Sequence, residues 1–523
     1  MSSYNLSELF EIVVDHCPDR EAIVADERRL TYAQLDERSN RLAHHLASLG
    51  VGPGDFVGLQ MVNGTEYMEG MLACFKLRAV PVNVNYRYVE AELRYLFDDA
   101  DLVALLVHQE FADRARAAAP PSLKHIIVVE DDYEDALAAA SPERDFDGRT
   151  SDDIYVVYTG GTTGMPKGVL WRHEDIFKAA LGGGDVFQTG NFIKTPEELP
   201  SRIPDPGMTT LPTPPLMHSS AAWLAFSTIY GGGKMVLAPQ GRFDPGTILR
   251  LIGDEGVNTV VVVGDAMARP LMDAYEEKPD AYDTSSLIVI GSGGAILSSA
   301  NKVRLSELFP NVMVVDGFGS SETGTLGSKA TMQGSADSGP RFSVNEQTLV
   351  LDDDMKPVVP GSGVTGRLAR HGHIPLGYHK DPEKTAKTFV EYDGRRYVLP
   401  GDMALVEEDG TVVLLGRGSG SINTGGEKVF PEEVEAALKA HADVVDAVVV
   451  GLPDERWGER VVAVVQPRPG AEPTLEELQA FSREHIAGYK VPRAVCIVEQ
   501  MVRSPSGKAD YRWAKQFAAD AVG

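Results

Sequence analysis

Short unbroken runs of Val, Ile and Leu alternate with amphipathic stretches, and that rhythm leaves few architectures open. DFVGLQMV from Asp55, VPVNVN from Val80, TVVVVG from Thr259, SLIVIG from Ser286 and VMVVDGFG from Val312 read as strands. Between them, Thr65 to Leu77, EAELRYLF from Glu90, MARPLMDAY and ANKVRLSELF read as helices. In the first, Met68, Leu72 and Phe75 fall at helical spacing. A strand apolar at every position is covered on both faces, as in a parallel sheet between helices. The expectation is α/β layering with more than one sheet.

The texture changes near Leu349. Strand-like segments shorten and turn residues multiply, which predicts a small antiparallel β unit. The small, polar segment from Gly324 to Gly339 reads as a loop. From Gly418 a helix (PEEVEAALKAH), two strands (DAVVVGLP, ERVVAVVQP), a helix (LEELQAFSREHI) and a strand (RAVCIVEQ) predict a compact α+β domain. The boundary falls in GRGSGS, giving residues 1–417 and 418–523. A chain of 523 residues exceeds one compact core.

The net charge of −27 sets the surface against nucleic acid and anionic lipid, though not against a local basic site for an anionic ligand. Cys17, Cys74 and Cys496 have no metal-type spacing and make no disulfide framework. MSSYNLSELF lacks the basic region of a signal peptide, and no apolar stretch reaches membrane-span length. A cytoplasmic protein without an integral membrane segment is expected.

YVVYTGGTTGMPKGV, Tyr155 to Val169, carries the most chemistry. A strand leads into Gly160, Gly161, Thr162, Thr163 and Gly164, with Lys167 close behind. Glycines let backbone N–H groups approach phosphate oxygens, threonines add donors, and lysine adds a mobile charge. Pro166 before Lys167, and the lack of Ser or Thr after it, exclude a Walker A loop. TGGTTGMPKG resembles the signature loop of the adenylate-forming superfamily of acyl-CoA synthetases, luciferases and peptide-synthetase adenylation domains. LTYAQLDERSNRLAHHL, GFGSSETG, YVLPGD, GRGSGSINTGGEKVFPEEVE and SPSGK are similar to its other motifs, in order along nearly the whole chain.

The resemblance implies a large N-terminal domain of two layered α/β sheets plus a small β unit, then a small mobile C-terminal domain. It implies ATP, Mg²⁺ and coenzyme A. The nucleotide would be held by Thr159, Gly160, Gly161, Thr162, Thr163, Gly164 and Lys167, by Gly293, Gly294 and Ala295, and by Asp316, Gly317, Phe318, Gly319, Ser320 and Ser321. Asp402 would hold the ribose hydroxyls, beside Arg417. Glu322, with Thr159, would hold magnesium. Lys508 would bridge the attacking carboxylate and the α-phosphate. Gly425, Gly426 and Glu427 would face the thioester step. His218, Trp223 and Gly291 would line the acyl site. Taken alone, Phe318 reads as core, Glu322 and Asp402 as turn residues, Lys508 and Arg417 as surface charges, and His218 as a buried structural histidine.

Pro400, Ser419, Gly420 and Ser321 depart from the superfamily pattern. Pro400 removes one hydroxyl contact; a Ser-Gly hinge still swings, because glycine absorbs large backbone changes. WRHEDI, GDAMARPL, IAGYKVPR and DYRWAK resemble actinobacterial synthetases acting on steroid side-chain or fatty acids. Gly231, Gly232, Gly291 and Gly293 are expected to make room for a bulky acid. The rival readings are an enzyme that loads a free carrier protein, a luciferase-like oxygenase, and a silent nucleotide-binding protein. A homodimer is expected only by analogy with the superfamily.

Overall fold

The computed structural model describes every residue except 1, 132, 160–164, 186–190, 240–242, 296, 335–339, 425, 426, 455, 504–508 and 523; side chains 417, 419 and 428 are also left undescribed. The fully apolar runs lie where their sequence requires, in parallel strands under helices. Phe56–Gln60, Val80–Asn83, Leu102–Val107 and His125–Val128 form a four-stranded parallel sheet. Thr259–Val262, Val289–Ser292 and the start of Met313–Ser320 run parallel in a mixed sheet of 15 strands. All their carboxyl ends point one way, and ligands in such sheets collect there.

The small antiparallel unit is not a separate sheet. Arg341–Val344 pairs with Gly324–Thr331 on one side and Val412–Arg417 on the other, joining it to the large sheet. The expected loop after Gly324 is therefore corrected: Gly324–Thr331 is a strand, paired residue by residue with Met313–Ser320. Gly, Ser and Thr give little β signal, and the neighbouring strand's hydrogen bonds override that weak preference.

A three-stranded sheet is wedged between these two, in the order Gly377–Tyr378, Lys167–Arg172, Ile154–Thr159. The last strand of the large sheet ends at Arg417, and a five-stranded sheet begins at Ile422. That sheet packs Pro431–Lys439 and Leu475–Arg483 on one face and Tyr511–Val522 on the other, over two apolar clusters. The molecule is thus a mixed α/β fold with a large N-terminal part and a smaller C-terminal one.

Candidate active site

Strands Ile154–Thr159 and Lys167–Arg172 form an antiparallel hairpin whose last pair is Thr159 and Lys167. Gly160, Gly161, Thr162, Thr163 and Gly164 would tip this hairpin; they lie outside the described residues. Beside it, Tyr378 pairs with Val169, and the chain turns into the helix Pro382–Thr388. Asp381 caps that helix, accepting from the Lys384 N–H at 2.9 Å, and forms an ion pair with Lys167. The Lys167 hydrogen bond holds the Asp381 carboxyl below its ordinary range. Two residues outside the signature loop, Tyr378 and Asp381, are thereby placed beside it.

The GFGSSET stretch is the neck of a β-hairpin. A Cβ at Gly319 would fall 2.1 Å from the Gly324 carbonyl, so no larger residue fits there. The turn is held at several of its peptide groups. Trp171 donates its indole N–H to the Ser321 carbonyl at 3.0 Å. The Thr323 hydroxyl accepts from the Ser320 N–H at 2.9 Å. Arg370 donates to the Thr323 and Thr325 carbonyls, both at 2.6 Å. Tyr378 donates its hydroxyl to Oε1 of Glu322 at 2.8 Å, leaving Oε2 with no hydrogen-bond partner among the described residues.

Among the described residues no group of three acidic, histidine or cysteine side chains could hold a metal alone. One half-engaged carboxylate suits magnesium, which keeps waters and takes its remaining oxygens from substrate phosphates. Glu322 fits that role.

Phe318 packs its ring 4.5 Å from Phe342, on the strand ending in this turn. The loop Gly293–Ala295 leaves the neighbouring strand alongside: a Cβ at Gly293 would lie 3.5 Å from the Gly317 carbonyl, and one at Gly294 would meet nothing within 4 Å. An open slot beside an aromatic strand suits a planar base. Asp316 carries a partner the sequence did not suggest, Lys302, at 2.8 Å and largely buried. Asp402 and Arg417 are direct partners across two strands, although the Arg417 side chain is not described.

On the acyl side His218 precedes the helix Ser219–Tyr230, and Trp223 is buried one turn in. A small pocket there is lined by Tyr67, Met71, Tyr155, Leu216, Met217 and Ala222. Gly291 sits in its strand with a Cβ position 3.0 Å from Val261. Gly232 is corrected: it follows the far end of the same helix, about 18 Å from His218 at 1.5 Å per residue. A Cβ at Gly232 would fall 2.4 Å from Ile203, and its φ is +65°. Close packing and a left-handed turn account for that glycine, not room for substrate.

The hairpin, the carboxylate turn and the aromatic slot converge on one face of the N-terminal part. Residues 10–378 match the family model described as AMP-binding enzyme, and 433–508 match its C-terminal domain model. The chain belongs to the AMP-binding enzyme family. It is 50% identical to a 3-oxocholest-4-en-26-oate–CoA ligase of Rhodococcus rhodochrous, over 98% of this chain and 95% of that one. It is also 50% identical to a medium/long-chain-fatty-acid–CoA/3-oxocholest-4-en-26-oate–CoA ligase of Mycobacterium marinum, over 98% and 96% of the two chains. The crystal structure of ATP-bound MatB from Rhodopseudomonas palustris superimposes with a TM-score of 0.85 at 25% identity, covering all of both chains.

In this AMP-binding enzyme Lys508 lies outside the described residues, but its surroundings are placed. A β-bridge between Arg503 and Ala509 closes the segment that carries it. Arg503 grips Asp446 with two hydrogen bonds, of 2.8 and 2.6 Å. Gly425 and Gly426 are likewise undescribed; they join the paired strands Ile422–Thr424 and Glu427–Val429, with Glu427 opposite Thr424.

Motif reasoning missed Trp171 as a support, and Tyr378, Arg370, Asp446 and Asn83. Asn83 accepts from the Tyr158 N–H and donates to the Tyr158 and Met217 carbonyls, all at 2.8 Å. It therefore ties the strand entering the phosphate hairpin to the residue before His218. Asn63 helps, accepting from the Leu216 N–H at 2.7 Å. A polar residue ending an apolar strand, as in VPVN, was the one available signal.

Proposed function

We propose that this enzyme activates a bulky hydrophobic carboxylic acid, a steroid side-chain acid or a medium- or long-chain fatty acid, with ATP and passes the acyl group to coenzyme A. The observation that carries this reading is end-to-end similarity, at 50% identity, to relatives named as ligases for those acids. A fatty acid–[acyl-carrier-protein] ligase of Streptomyces coeruleorubidus stands at 30% identity, which favours coenzyme A over a carrier protein as acceptor.

In the first half-reaction a carboxylate oxygen attacks the α-phosphorus, the bond to the β-phosphate oxygen breaks, and pyrophosphate leaves. In the second, the coenzyme A sulfur attacks the acyl carbon, the thiol proton is lost, and AMP leaves with the anhydride oxygen. Magnesium, when bound, would neutralise charge on the triphosphate. Glu322 would hold it, and the hairpin residues Thr159 to Gly164 with Lys167 would surround the phosphates. Phe318 and Gly293–Ala295 would sandwich adenine, while Asp402 and Arg417 hold the ribose. Lys508 would orient the attacking carboxylate against the α-phosphate, which lowers the barrier by proximity and by charge stabilisation. His218 and Trp223 would wall the acyl chain. Gly425, Gly426 and Glu427 would serve thioester formation after residues 418–523 rotate as a domain.

Among the described residues no helix is long and apolar enough to cross a membrane. Cytoplasmic location and a homodimer complete the reading; sedimentation of the purified enzyme tests the latter.

The deciding experiment measures AMP and thioester with ATP, Mg²⁺ and coenzyme A across acids from acetate through palmitate to a steroid side-chain acid. Turnover of the steroid acid or of longer fatty acids is expected. Pyrophosphate release without thioester would overturn coenzyme A as acceptor.

A further inference from the structure

Arg370 is 2% exposed, on the strand Gly366–His371, directly after the buried Leu368 and Ala369. Its guanidinium donates to the Thr323 and Thr325 carbonyls, and reaches the Gln347 side-chain oxygen at 3.4 Å. Its Nε has no acceptor, and no carboxylate pairs with it, among the described residues. A cation removed from water without a counter-charge is costly, and burial pushes this guanidinium down to about 10. The strand itself does not need a charge here. An apolar side chain would serve its pairing with Thr348 and Val398 equally well.

What requires the charge is the turn. Thr323 follows Glu322 directly, and its hydroxyl also holds the Ser320 N–H, so fixing its carbonyl fixes both legs. We propose that Arg370 is a positioning residue for the magnesium–triphosphate end of the site, setting the turn that aims Glu322 and placing unneutralised positive charge behind it. This rests on the assignment of Glu322 as the magnesium carboxylate. It makes Arg370 an electrostatic partner of the bound nucleotide without contact to it. Two short charge-assisted bonds to neutral carbonyls are the strong kind, and they are cheap to keep once an anion is bound nearby.

The test uses the full-length enzyme and pyrophosphate exchange at saturating acid, with magnesium and MgATP varied, normalised to folded protein. Arg370→Met should raise KM for MgATP and lower the adenylation kcat, each about tenfold, the scale of one charge-assisted hydrogen bond. KM for the acid and thioester formation from supplied acyl-adenylate should stay at wild-type values. Both carbonyl bonds come from Nη1 alone, so Arg370→Lys, which keeps the charge on a single donor nitrogen, should recover part of the loss. A lowered melting temperature with unchanged MgATP parameters per folded molecule would overturn the proposal. If Arg370→Met fails to fold, the neutral but polar Arg370→Gln decides: a raised KM for MgATP supports the proposal, and a wild-type value overturns it. Glu322→Gln separates the two readings. Wild-type magnesium dependence there overturns Glu322 alone; a MgATP shift in Arg370→Met then still supports Arg370 as setting the turn for the nucleotide, and no shift overturns both.

Discussion

The turn carrying Glu322 is gripped along its length by Trp171, Arg370 and Tyr378, which belong to separate strands of two different sheets. The segment carrying Lys508 is secured at its base, where the Arg503–Ala509 bridge closes it and Asp446 holds Arg503. The difference matches what each group is asked to do. A metal carboxylate gains from a fixed aim, because donors and charges set in place before reaction need no rearrangement during it. A lysine proposed to act in only one of two half-reactions gains from mounting on a unit joined by a short link, here Gly418–Gly420. On the proposed roles, one side of the site is built in, and the other is delivered.

Removing the delivered group is the severest way to test this. Lys508→Ala should lower adenylation about 100- to 1,000-fold, the scale of losing one transition-state donor. Thioester formation from supplied acyl-adenylate should change little, and equal loss in both half-reactions would break the division. Glu322→Gln should lower adenylation about 100-fold and shift its magnesium requirement, as read by exchange at graded magnesium.

The base of the lysine segment offers a test through pH. Burial pushes the Asp446 carboxyl up, but the Arg503 hydrogen bonds and the Lys439 and Arg503 charges outweigh it and bring the carboxyl below its ordinary value. Its folded pKa lies below its unfolded one, so its contribution is fully present above about pH 4 and is lost as pH falls through the folded value. Asp446→Asn should remove the carboxylate that takes both Arg503 hydrogen bonds and cost about 2–3 kcal/mol of stability. It should also flatten the acid limb of the stability profile. Chemical unfolding from pH 7 down to 3 measures both, and a wild-type acid limb would remove Asp446 as the anchor.

These supports mark how far the sequence could be read. The strands under helices were legible because TVVVVG and SLIVIG each hold four apolar residues in an unbroken row. Glu322, Asp402 and Lys167 could be proposed because a motif keeps reactive groups at fixed spacing. Their holders were not. Trp171 and Ser321 are 150 residues apart, and Arg370 and Thr323 are 47 apart. Only the register between strands brings such pairs together. Gly232 misled because glycine records that something is close without recording what, and Gly324–Thr331 because small polar strands carry their pairing in the neighbour.

Asn83 sharpens the comparison from the built-in side, and its expected effect is the smallest. It is a side chain pairing like a backbone: one acceptor and one donor to Tyr158, and a further donor to Met217. Tyr158 lies in the phosphate hairpin, next to its last pair, and Met217 just before His218. If the nucleotide and acyl halves are one rigid surface, loosening this amide must be felt by both. Asn83→Ala should cost about 1–3 kcal/mol through buried groups left unpaired, and raise KM for ATP and for the acid together by several-fold. Asn83→Asp keeps the acceptor but turns a carboxylate toward two carbonyls, so it should be worse than alanine in both. Steady-state kinetics with each substrate varied in turn reads the pattern. A rise confined to the acid would make Asn83 a support of the acyl wall only, and the two halves of the N-terminal surface would then be set independently.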